Sequence, residues 1–69
     1  MKYKVGDLIE DRRGKFDGDI GVIVDSFFDD IVGPHYKIFW ISGQWAGKRS
    51  DEPVTEIDSN DNCYGLEQN

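Results

Sequence analysis

Few side chains in this chain are spaced for covalent or ligand chemistry, and each grouping can be held against what its chemistry requires. Asp58, Asn60 and Asn62 occupy the first, third and fifth places of an EF-hand-like loop. Calcium coordination then needs glycine at the sixth place and glutamate at the twelfth, where Cys63 and Asn69 stand. His35 and Cys63 are the only histidine and the only thiol, too few ligands for structural zinc. As a nucleophile and base they would also lack a group to orient the imidazole. Asp29 and Asp30 are adjacent, so on extended backbone their carboxylates point in opposite directions, which is wrong for flanking a substrate. The run Gly43–Ser50 is one residue short of a phosphate loop, with Arg49 where the hydroxyl should be. We therefore expect no catalytic residue, no metal and no cofactor, and a chain that is not an enzyme.

What remains is surface chemistry. Nine aromatic rings in 69 residues exceed what a small core needs. In Tyr36-Lys37-Ile38-Phe39-Trp40-Ile41-Ser42 a period of two puts Tyr36, Ile38 and Trp40 on one face and Lys37, Phe39 and Ile41 on the other. Both sets are apolar, so one has to meet solvent, a covering segment or a partner. Phe27 and Phe28 raise the same question. Rigid aromatics dominate protein interfaces, so Trp45, Phe39, Tyr36 and Phe28 are the candidate partner-binding residues, and a homodimer through the same patch is a further option. The alternative is RNA or single-stranded nucleic acid, held by Arg12, Arg13, Lys15, Lys37, Lys48 and Arg49 with Trp45 as a stacking ring. A third reading is a structural component of a virion or other assembly.

The elements that must position these residues are short. Val5, Leu8 and Ile9 read as the entry to a first strand. Ile20–Phe28 is β-branched and aromatic, the strongest strand signal, and Tyr36–Ser42 is the second strongest. The Asp-Asp and Gly-Pro pairs between them mark a turn. A hairpin through Ser42-Gly43 would return with Trp45 in the next strand, and Val54–Ile57 reads as a last strand. No window shows the spacing of an amphipathic helix. Five short strands predict an all-β, five-stranded small barrel over residues 1–58, since closure leaves no edges. The expected core comes from Val5, Leu8, Ile9, Ile20, Val22, Ile23, Val24, Ile38, Trp40, Val54 and Ile57.

Glycines at 6, 14, 18 and 21 punctuate the first half of that barrel. Gly14 and Gly18 bracket a tight loop, and Gly21 falls where the second strand must bend. The spacing Gly6-Asp7-x-Ile9, Gly14-Lys15-Phe16-x-Gly18, Gly21-x-Ile23 resembles the KOW motif over about 18 of the 69 residues. That resemblance implies an SH3-like barrel and a setting in a transcription or translation complex. The chain departs from the motif at Asp11, where an inward aliphatic residue is usual. Asp17 and Asp19 flank Gly18 where RNA-contacting loops carry cations, and they offset Arg12, Arg13 and Lys15. Phosphate binding scales with the cations delivered to the backbone, so the resemblance speaks for the fold more than for RNA. Small stand-alone SH3-like proteins of tailed phages look similar too.

Charge and length complete the reading. Residues 1–50 carry eight basic and eight acidic groups, and residues 51–69 carry six acidic groups and no basic one. The net charge of −6 therefore resides in the C-terminal segment, expected to be a flexible acidic tail over 59–69. One cysteine excludes an internal disulfide, and no apolar run reaches the ~20 residues of a membrane helix. A cytoplasmic protein with no membrane contact is expected, in the host cytoplasm if phage-encoded.

Overall fold

The computed structural model describes residues 1–13 and 18–66. Its elements, in chain order, are β1 (Leu8–Asp11), β2 (Asp19–Asp29), β3 (Gly33–Trp40), β4 (Arg49–Pro53), α1 (Val54–Asp58) and β5 (Cys63–Gly65). The five strands form one antiparallel sheet in the order β4-β3-β2-β1-β5. β4 and β5 are its two edges, so the ladder does not close into a barrel. No helix among the described residues is long and apolar enough to cross a membrane.

A bulge in β2 decides which rings reach the core. Ile23 pairs with Ile38 but Asp25 pairs with Lys37, so Val24 is the extra residue. One inserted residue exchanges the two faces of a strand. Before the bulge, Gly21 and Ile23 face inward; after it, Asp25 and Phe27 face outward with Lys37 and His35. Tyr36, Ile38 and Trp40 are the buried set of β3, and Lys37 and Phe39 take the outer face. The inner side chains meet Tyr3, Ile9, Val54, Ile57 and Cys63 in a single core.

Several expectations are corrected here. Val54–Ile57 is not a strand: it lies in α1. Pro53 brings no N–H to continue β4, and the two apolar residues are spaced i, i+3, so a helical turn buries both where alternation would bury only one. A single turn has little intrinsic stability; burial of Val54 and Ile57 supports it. The segment after Asp58 is not wholly a mobile tail, because β5 pairs with β1 and Cys63 is buried. The ladder continues beyond β5, with the Leu66 N–H donating to the Leu8 carbonyl at 2.9 Å. Val5 is exposed, while Leu8, Ile20, Val22 and Val24 are only half-buried.

Side chains and α1 bridge the gap between the sheet edges. Arg13 reaches Asp11 on β1 and Glu52 on β4, each at 2.9 Å, and Glu56 on α1 at 3.7 Å. Burial works against the Asp11 carboxylate, yet the Arg13 guanidinium and amide outweigh it and hold Asp11 below the usual carboxylate range. The Cys63 thiol donates to Asp11 at 3.4 Å. Its burial, together with the Asp11 charge, pushes the thiol up to about 12 from an ordinary value of 9.0. That lowers the thiolate fraction about a thousandfold, and thiolate is the reactive form. Native protein should resist iodoacetamide at mildly alkaline pH and label at the free-thiol rate in concentrated urea. Equal rates in both would show that β5 is not docked.

Candidate protein interface

Past the bulge, β2 and β3 run on as an arm flanked by β4 as far as Pro53 opposite His35, so only its tip beyond Phe27 and His35 is two-stranded. On the far side of β2, β1 pairs only as far as Leu8 with Val22. The segment before β1 adds two more contacts: the Ile23 N–H donates to the Asp7 carbonyl at 2.9 Å, and the Gly6 N–H to the Ile23 carbonyl at 2.8 Å. From Asp25 to Asp29, β2 pairs with β3 alone among the described residues.

The arm ends in a turn shaped by Asp29, whose Oδ1 accepts the N–H groups of Ile31 at 2.8 Å and Val32 at 3.0 Å. These bonds keep the Asp29 carboxyl below its ordinary pKa. They also hold Ile31 and Val32 outward, 94% and 61% exposed, beside Phe28 at 71%. Phe27 is less open: it stacks on His35 with ring centroids 5.0 Å apart and planes 8° from parallel, and Lys37 Nζ lies 5.9 Å from its centroid. His35 is oriented by a 2.9 Å hydrogen bond between Nδ1 and the Gly33 carbonyl. Phe28 faces the core side of the sheet opposite Pro34, but the arm carries it beyond the core. Neither ring of the Phe-Phe pair is buried.

Burying a large apolar side chain gains ~1.5–3 kcal/mol, so Phe28, Ile31 and Val32 together leave a substantial association energy unused. Exposed apolar side chains gathered at one turn point to an interaction site. Asp29 and Asp30 border the tip, while Asp25 lies opposite Lys37 at the base of the arm, next to the bulge.

The expected site residues do not come together. Tyr36 is fully buried, so it is a core residue and not a contact residue; its hydroxyl and ring are both taken up internally. Phe39 is half-buried on the outer face, between Val22 on β2 and Arg49 on β4. Phe28 is at the arm tip. Trp45 does not lie in a returning strand: it belongs to the loop between β3 and β4, closed by bonds from Gly47 N–H to the Trp40 carbonyl and from Lys48 N–H to the Trp45 carbonyl. There it borders a cleft of about 240 Å³ with Asp11, Arg13, Asp19, Trp40, Ser50 and Glu52. Trp40 forms part of this cleft, its indole N–H donating to Ser50 at 2.8 Å. Carboxylates outnumber cations along that lining, which repels phosphate.

The candidate nucleic-acid cations are scattered as well. Arg13 is committed to Asp11 and Glu52 across the sheet edges, and Arg12 is paired with Glu10. Lys37 and Arg49 lie on the outer face of the sheet, while Lys48 is in the Trp45 loop, its Nζ 5.8 Å from that ring. Lys15, with the rest of the loop between Gly14 and Asp17, lies outside the described residues. Ile31 and Val32 were not anticipated as contact residues. Their signal was an apolar pair set inside turn chemistry, between Asp-Asp and Gly-Pro, where polar residues are usual.

Comparison with protein-family models, with curated proteins and with solved structures finds no match for this chain.

Proposed function

We propose that this chain is a non-enzymatic binding module that contacts a protein partner through the apolar tip of its β2–β3 arm. The observation that carries the reading is the exposure of Phe28, Ile31 and Val32 on a turn held rigid by Asp29. A pre-ordered apolar surface loses little conformational freedom on binding. The strand order β4-β3-β2-β1-β5 and the single helical turn between β4 and β5 support the SH3-like type. The KOW resemblance makes a transcription or translation complex the setting to search, and the likeness to small phage proteins adds the phage-infected cell to it. Direct nucleic-acid binding has weaker support, because its cations are paired or spread over several faces.

The test is a tagged pull-down from bacterial lysate, with and without nuclease, comparing wild type with Phe28→Ser plus Ile31→Ser. The expected result is a partner retained after nuclease and lost from the double variant, with an unchanged melting curve for the variant. A partner that the double variant keeps, or that nuclease removes, would overturn the reading.

A further inference from the structure

The arm carries a second feature besides its apolar tip, a backbone edge that no strand covers among the described residues, and the alternation of antiparallel hydrogen bonding shows which groups it presents. In such a ladder, doubly bonded pairs alternate with pairs whose N–H and C=O point away from the partner. Phe28 stands opposite Pro34, which has no N–H to give, so this is not a doubly bonded pair. Phe28 and, two residues back, Ser26 therefore turn their N–H and C=O groups outward. Ser26 confirms the parity independently: its N–H donates at 2.8 Å to Asp25 Oδ1 and not to β3.

Charge decides what can pair there. The edge reads Asp25-Ser26-Phe27-Phe28-Asp29. In a two-fold pairing with a second copy, the register that overlaps the whole edge sets Asp25 against Asp29 twice, and directly opposed like charges destabilise a strand pair. Each carboxylate uses only Oδ1 in its internal bonds, leaving Oδ2 to meet a cation. A basic residue opposite each aspartate, with an apolar residue opposite Phe28, satisfies charge and packing together.

We infer that Asp25–Asp29 of β2 is a strand-addition site for an extended peptide with basic residues on both sides of an apolar centre. The inference rests on the proposal that the arm binds protein, and adds how. Main-chain bonds to Phe28 and to Ser26, whose N–H passes from Asp25 Oδ1 to the peptide, supply affinity, and the flanking aspartates supply selection.

The probe is a blocked, fluorescein-labelled Lys-Val-Val-Thr-Lys peptide, followed by anisotropy and by amide exchange in NMR at millimolar peptide. Binding should slow exchange of the Phe28 amide, and replacing both lysines with glutamate should weaken it about five- to tenfold. Ser26→Pro removes the outward N–H that donates to Asp25 Oδ1 in the free chain and passes to the bound peptide, a substitution that edge strands tolerate, and should weaken binding about fivefold with the melting curve unchanged. If Ser26→Pro proves to unfold the arm, Asp25→Lys, expected to weaken the lysine peptide and strengthen the glutamate one, takes its place. Absence of Phe28 protection, equal binding of the two peptides, or self-association that Ser26→Pro abolishes would each overturn the inference. Ser26→Pro leaves the apolar tip intact. A pull-down partner kept by it but lost with Phe28→Ser plus Ile31→Ser would sink strand addition alone, whereas a partner kept by both would sink the binding reading too.

Discussion

Tyr36→Ala is expected to leave the domain unfolded at room temperature. Tyr36 has no exposed surface, its ring packs against Tyr3 with centroids 6.0 Å apart, and its hydroxyl ties three segments together. That hydroxyl donates to Asp58 Oδ1 at 2.6 Å and accepts the Tyr3 N–H at 3.1 Å, while Lys2 N–H donates to Asp58 Oδ2 at 2.9 Å. Truncating a buried aromatic costs ~3–5 kcal/mol, and an orphaned buried N–H adds ~1–3 kcal/mol. A domain of this size has a total stability of only ~3–10 kcal/mol, so the loss consumes most of it. Tyr36→Phe keeps the ring and should cost ~1–3 kcal/mol in urea denaturation. A cooperative Tyr36→Ala transition close to that of wild type would refute the role assigned to this ring.

The same hydroxyl gives an alkaline signature. Burial, then the bond to the Asp58 carboxylate, pushes Tyr36 up to about 12 from an ordinary 10.0. A folded-state pKa raised above the unfolded one means the folded state favours the protonated form. The associated stability is full below pH 10 and is lost as pH rises through 12. Tyr64 is raised as well, by burial and its bond to Glu10, so tyrosinate absorbance should show two delayed tyrosines, and Tyr36→Phe should remove the one at about 12.

The second large effect is expected at Gly21. It pairs with Trp40 across β2 and β3, and a Cβ there would lie 2.6 Å from Ile38 Cγ2 and 2.8 Å from Trp40 Cε3. Both neighbours are buried and have little room to yield, so Gly21→Val should cost ~1–3 kcal/mol or more by overpacking. For a domain of this length that is a fall in Tm of roughly 5–20 °C, with Gly21→Ala intermediate. An unchanged Tm for Gly21→Val would mean that β2 and β3 are not this close.

Gly21 also shows what could be read in advance. A glycine inside a β-branched run signals a bend or close approach, and the approach is there. The long strands announce themselves through Ile20–Val24 and Tyr36–Trp40, and the turn between them through Asp-Asp and Gly-Pro. The face of β3 that goes inside could not be read from alternation, because both faces are apolar. Tyr36 wins the interior because Tyr3 and Asp58, distant in sequence, satisfy its hydroxyl. The bulge at Val24 was likewise invisible, since it depends on β2 and β3 being paired, and it is what turns Phe27 outward. At Val54–Ile57, β-branched composition suggested a strand and hid the i, i+3 spacing that a helical turn requires. β5 is three residues long with one buried side chain, too brief to show any period. Trp45, legible as an aromatic beside cations, proves to be a loop residue at an acidic cleft, because Gly47 and Lys48 close the turn around it.

The bridging of the sheet edges also bears on the order in which the domain assembles. The β2–β3–β4 meander is joined by short loops and costs little chain entropy to form. The core reaches completion only when Tyr3 and Ile9 meet Ile57 and Cys63, contacts that span most of the chain and carry a larger closure cost. During synthesis β1 and Tyr3 can meet β2 and Tyr36 once β3 has been made, but the core around them is completed only when Ile57 and Cys63 follow. Nascent chains halted between Pro53 and Asp58 should be protease-sensitive at their N-terminus, and those extended past Gly65 should be protected there.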